Sequence, residues 1–184
     1  MIQGAAVQQA LAEWLTQDTL ILGVGSLWRG DDAAGPLVCE GVPGAVDCGD
    51  APERFLGLAG SPQVAQVLLV DAVDLGAEPG EVVLCEREDL TERFGTTHSS
   101  GLALLARYLA ETYGKEVRVL GIQPASTGVG CPVSGPVRGA VERVVAWLAR
   151  AEPRAPIQDP EGSFDMAPLG CARGGQGEPS GSEG

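Results

Sequence analysis

Aromatic side chains are scarce in this sequence: three Phe, two Tyr and three Trp make up 4% of its residues. A core must therefore be built from Val, Leu, Ala and Ile, which suits a buried sheet flanked by small-residue helices. Basic residues are few as well, 12 against 25 acidic, for a formal net charge of −13. Such a chain repels phosphate backbones, which argues against a nucleic-acid partner and against an anionic membrane surface. It leaves room for a metal ion or a basic segment of a protein partner, and part of the charge serves solubility alone. No apolar run reaches the roughly 18 residues of a transmembrane helix. The N-terminus also lacks the basic and apolar regions of a signal peptide, so the expectation is a cytoplasmic protein.

Several motifs are missing too. The five cysteines, Cys39, Cys48, Cys85, Cys131 and Cys171, are odd in number and contain no CxxC pair. That excludes a zinc ribbon and a disulfide framework and predicts buried free thiols. A dinucleotide fingerprint starting at Gly23-Val24-Gly25 would need glycine at position 28, where Trp28 stands, so the Rossmann reading fails. No GxxxxGK[ST], GxSxG or HExxH occurs, which removes the P-loop, the hydrolase nucleophile elbow and the zincin site.

What is present is an alternation of buried strands and amphipathic helices. Residues 5–16 place Ala6, Ala10, Leu11, Trp14 and Leu15 on one helical stripe. Thr19–Gly25 and Gln66–Ala72 are apolar runs of strand length; Val46–Cys48, Glu81–Glu86 and Glu116–Ile122 are further strands. Helices are predicted from about Ala33, over Glu53–Ala59, over 101–113 and over 135–150. The pattern predicts a three-layer α/β/α sandwich around a twisted, mostly parallel sheet. Glu81–Glu86 follows its predecessor without a helix, which marks it as an antiparallel member.

A length of 184 residues corresponds to one domain. From about Ala151 seven Gly and five Pro crowd into 34 residues with little periodic apolar content. The expected organisation is a domain over 1–150 and a disordered, dispensable tail over 151–184. The tail holds six acidic and two basic residues, which leaves −9 of the −13 on the domain.

Chemistry concentrates at three places. Asp31-Asp32 follows the first apolar strand; either acid suits a helix N-cap, and the second would then point into a cleft. Adjacent residues rarely face each other, so this pair is a poor proton-sharing dyad. Asp71 ends the strongest strand, where open α/β sheets bind ligands, although a loop-capping role explains it equally well. His98, the only histidine, precedes a helix that Thr97 or Ser99 could cap. Taken together, Asp32, Asp71 and His98 make a mixed oxygen and nitrogen ligand set with positions left open, suited to nickel, zinc or iron. Glycines beside Asp31-Asp32 are expected to allow a tight turn that brings the acids close to a ligand. Leu27 and Trp28 either pack on the following helix or meet a partner together with Arg29.

These residues carry a resemblance. Gly23-Val-Gly-Ser-Leu-Trp-Arg-Gly-Asp-Asp-Ala-Ala-Gly35 resembles the GxGNxLxxDDGxG signature of the nickel–iron hydrogenase maturation proteases. Val70-Asp71-Ala72 and Thr96-Thr97-His98 are similar to that family's strand-end acid and metal-site histidine. Asp50-Ala51-Pro52-Glu53, Asp74–Glu81 and Leu120-Gly121-Ile122-Gln123-Pro124 resemble the branch that matures the hydrogenase of formate hydrogenlyase. The resemblance spans roughly 19–150. Ser26 stands where the family has Asn, and Ala33 where it has Gly; the second would be strained if the site needs a positive φ.

The resemblance implies a sheet of about five strands. It also implies an endopeptidase, often labelled aspartic-type, that removes the C-terminal extension of a hydrogenase large-subunit precursor after nickel insertion. Asp32, Asp71 and His98 would contact nickel carried by the precursor, with no tightly bound metal of the enzyme's own. The enzyme is expected to act as a monomer. The alternative is a nickel-sensing chaperone that holds the same precursor without cutting it.

Overall fold

Gln66–Ala72 (β4) reads QVLLVDA, and Val67 to Val70 are fully buried. A strand apolar on both sides of its pleat needs cover on both faces. The computed structural model, which describes residues 1–86, 89 and 99–150, supplies it. β4 runs parallel to β2 (Thr19–Gly23) on one side and to β6 (Glu116–Ile122) on the other. β3 (Val46–Asp47) adds parallel to β2; β5 (Val82–Cys85) pairs antiparallel with β6. β1 (Ile2–Gln3) closes the other edge antiparallel to β5, for the order β1-β5-β6-β4-β2-β3.

The α/β sandwich expected from the alternation is therefore borne out, and so is the antiparallel strand after the 74–80 loop. The sheet has a sixth strand beyond the five expected. β1 is two residues long, too short for a period of two to register.

Helices α1 (Ala6–Trp14), α2 (Ala34–Gly41) and α5 (Gly135–Leu148) cover one face; α3 (Leu56–Ala59) and α4 (Ser99–Tyr113) cover the other. Alternate residues of β4 feed the two cores. Leu68 and Val70 pack with Val38, Val141 and Val144, while Val67 and Leu69 pack with Leu102, Ala106 and Leu109. Burying each such side chain contributes about 1.5–3 kcal/mol.

The chain leaves β2 through α2 toward the β3 edge and leaves β4 toward β5 and β6 on the other side. The carboxyl ends of β2 and β4 thus flank a topological switch point, where open α/β sheets form a crevice. α2 reaches this point because Gly35 has no side chain. A Cβ there would overlap the carbonyl oxygens of Val24 and Val70. Among the described residues no helix is long and apolar enough to cross a membrane. The expected tail over 151–184, Cys171 and His98 lie outside the described residues.

Candidate active site

The loop after β2 brings the acids to the crevice. It runs from Val24 to Arg29 and enters a 3₁₀ turn over Gly30–Ala33 that carries Asp31 and Asp32. The loop closes on itself, because the Ser26 amide donates to Asp32 Oδ2 at 3.0 Å and the Asp32 amide donates to the Arg29 carbonyl at 3.2 Å. Gly25 makes that closure possible. Its φ is 129°, and a Cβ on it would overlap the Asp32 carbonyl oxygen. The tight turn expected from the glycines is present for that reason. Ala33 sits at φ −70°, so alanine in place of the family's glycine is unstrained.

The two adjacent acids have separate jobs, and neither side chain caps α2. Asp31 is buried and turned away from the crevice. Its Oδ2 accepts from the amides of Ala125 at 2.8 Å and Ser126 at 3.1 Å, and its Oδ1 accepts from the Ser134 amide at 2.6 Å. Burial raises its pKa, but these amides outweigh burial and hold the carboxyl below its ordinary value. Asp31 therefore ties the Asp loop to the segment between β6 and α5. Two backbone bonds strengthen the tie, from the Asp31 amide to Ser126 and from the Gly130 amide to Trp28.

Asp71 stands one residue past the last β2–β4 pair, where Gly23 meets Val70, and opposite Gly121 of β6. It lines a cleft of about 620 Å³ together with Arg29, Asp32, Asp74, Gln123 and Thr127. The structure thus brings Asp32 and Asp71 into one cleft. Burial first, and the negative charge of Asp32 second, push the Asp71 carboxyl up to about 8, against a smaller opposing bond from the Ala72 amide. A carboxyl that keeps its proton near neutrality in a cleft is suited to act as a general acid. Among the described residues, no group of three or more such side chains is placed to hold a metal ion.

Gln123, just past β6, is buried, and its residue type alone assigns it no role. Its Oε1 accepts from the amides of Leu75 at 2.7 Å and Ala77 at 3.2 Å, and its Nε2 donates to Asp74 Oδ1 at 3.3 Å. It holds the 74–77 loop as a wall of the cleft. The one hint in the sequence was that both partners fell inside the branch-like stretches.

Leu27 and Trp28 do not pack on α2; they are exposed at 50% and 81%, with Val129 at 82% nearby in the loop joined to them. Cys39, Cys48 and Cys85 are buried free thiols as expected, but Cys131 is exposed, because it lies in the irregular loop before α5 rather than in a packed element.

A family model described as hydrogenase maturation protease, HycI, matches residues 43–151. The hydrogenase 3 maturation protease of Escherichia coli strain K12 is 38% identical over 137 residues, covering 70% of this chain and 87% of that protein. The crystal structure of the [NiFe] hydrogenase maturation protease HycI from Thermococcus kodakarensis superposes with a TM-score of 0.68 at 28% identity, covering 79% of this chain and 97% of that one. The solution structure of the endopeptidase HycI from Escherichia coli gives 0.63 at 33% identity, covering 73% and 90%. With a cleft at the same fold's switch point and this degree of identity, the chain belongs to the hydrogenase maturation protease family.

Proposed function

We propose that the protein is an endopeptidase that removes the C-terminal extension of a nickel–iron hydrogenase large-subunit precursor once nickel is in place. The meeting of Asp32 and Asp71 in one cleft, in a chain of this family, carries the reading. Nickel arrives as part of the substrate, held by the precursor. Asp32, Asp71 and His98 are assigned to contact it, which registers the scissile bond against the cleft. A carboxylate, Asp32 or Asp71, takes a proton from the attacking water as oxygen adds to the carbonyl carbon. The C–N bond then breaks and the proton passes to the departing amine, leaving a carboxylate and an amino terminus. Arg29 in the same cleft supplies positive charge beside the carbonyl oxygen as it becomes anionic. We place the protein in the cytoplasm as a monomer.

The raised Asp71 carboxyl beside Asp32 favours one second reading, a metal-free aspartic-type pair in which Asp71 donates and Asp32 accepts. A chaperone that does not cut is disfavoured by the peptidase family.

The test incubates the protein with nickel-loaded and nickel-free precursor and follows the released peptide by mass spectrometry. The expected result is release from the loaded form alone, slowed about a hundredfold or more in His98→Ala and Asp32→Asn. Equal release from both forms would select the metal-free pair. Full-rate, nickel-dependent cleavage by His98→Ala would remove the histidine from the site.

A further inference from the structure

Asp71 lines a second depression as well. A groove of about 540 Å³, which shares Asp71 and Leu102 with the cleft, runs between α4 and the segment Asp50–Leu56. Its walls are Val24, Pro52, Leu56, Leu102, Leu104 and Leu105. Leu104 is 59% exposed and Tyr108, also at the groove, 42%. Two large apolar side chains turned outward on one helix face are costly in water unless something covers them. At the rim stand Asp50 and Glu53, both exposed and neither in an ion pair among the described residues. They belong to the Asp50-Ala51-Pro52-Glu53 stretch, which the cleavage chemistry leaves without a role.

We infer that this groove receives the stretch of precursor just beyond the cleaved bond: an apolar side chain seats against Leu102 and Leu105, and a Lys or Arg reaches Asp50 and Glu53. The inference rests on the peptidase reading above. Continuity assigns the side. The polar cleft with Asp32 takes the metal-bearing body of the precursor, and Asp71, which with Leu102 borders both depressions, marks where the chain is cut. A polypeptide passing over Asp71 out of the cleft enters the groove, so the extension lies there. Charge and lining then define its chemistry. Unpaired acids at the mouth of an apolar groove attract a cationic residue next to an apolar one and repel an acidic extension. Asp50 and Glu53 are thus specificity-determining residues that select which precursor is processed.

The test uses the full chain and nickel-loaded precursor. In the double variant Asp50→Lys/Glu53→Lys, KM should rise about tenfold, equivalent to about 1.4 kcal/mol, with a smaller change in kcat. A precursor whose first basic residues beyond the cut are changed to Glu should be a poor substrate for the unaltered protein, and the double variant should restore it. A photo-crosslinking residue at Leu104 should attach to the extension. Unchanged KM in the double variant, absence of rescue, or crosslinks confined to the precursor body would each overturn the assignment. If the unaltered protein cleaves nothing, the peptidase reading fails by itself; binding of precursor with and without its extension then reports on the groove. Affinity that depends on the extension and on Asp50 and Glu53 would support it, and indifference to both would overturn it.

Discussion

At the residue scale, Asp71 is held where its environment opposes its charge. The unfolded chain titrates it at the ordinary carboxylate value, whereas folding lifts it to about 8. The folded state keeps a proton that the unfolded chain releases. The stabilisation linked to that proton is fully present below the ordinary value and is lost as pH rises through about 8. Asp71→Asn removes this dependence. Melting curves of the two proteins should lie close together below about pH 4 and separate as pH rises to about 8, with the variant the more stable, while cleavage is lost. Parallel pH profiles would show that the cleft does not resist ionisation. Asp31 lies beside Asp32 in sequence and has the opposite character, because backbone amides reward its charge. Its stabilisation is present above the ordinary carboxylate value and fades as pH falls through the lowered one.

At the scale of elements, the cleft is a set of loops pinned to strand ends by single side chains. Asp31 pins the segment before α5 and Gln123 pins the 74–77 loop. Asp31→Ala would leave the part-buried amides of Ala125, Ser126 and Ser134 without their acceptor, a loss of about 1–3 kcal/mol. Denaturant titration should show that loss, and amide exchange should accelerate over 125–134 more than in β4. A variant as stable as the parent would mean that the clamp contributes nothing. Neither clamp is legible in a sequence, because the partners lie 94 to 103 residues away for Asp31 and 46 to 49 for Gln123. The strands were legible for a local reason. Gln66–Ala72 and Glu116–Ile122 match the observed elements to the residue, since a strand covered on both faces is apolar along most of its length. Helix starts were legible as well: α2 begins at Ala34, one residue from the expected start near Ala33, with a 3₁₀ turn ahead of it that the sequence did not announce.

At the scale of the whole molecule, the core clusters of the described residues extend to Leu148, and the composition of 151–184 leads us to predict that this stretch is dispensable. A chain ending at Arg150 should melt within a few degrees of the full protein and cleave precursor at the same rate. A drop of more than about 4 °C, worth about 1 kcal/mol or more at this size, would show that the tail packs on the domain. The acidity belongs to the working surface too. With −9 on residues 1–150 and unpaired acids at the groove, association with a basic extension should be favoured by the net field and weakened by salt.

The sequence by itself determined the layered sheet, the exclusion of nucleotide chemistry and the identity of the acids at two strand ends. Those follow from local periodicity, failed glycine spacing and the rule that ligands gather at carboxyl ends. The family resemblance named Asp32, and only the tertiary structure supplied the reason why it, and not its neighbour Asp31, faces the cleft. Backbone rotation through the Gly25 turn and the 3₁₀ turn sends Asp31 inward to distant amides and leaves Asp32 beside Asp71. Only tertiary structure, too, joined Asp50 and Glu53 to a groove that opens from Asp71, because the packing of α4 on the sheet brings together segments about fifty residues apart.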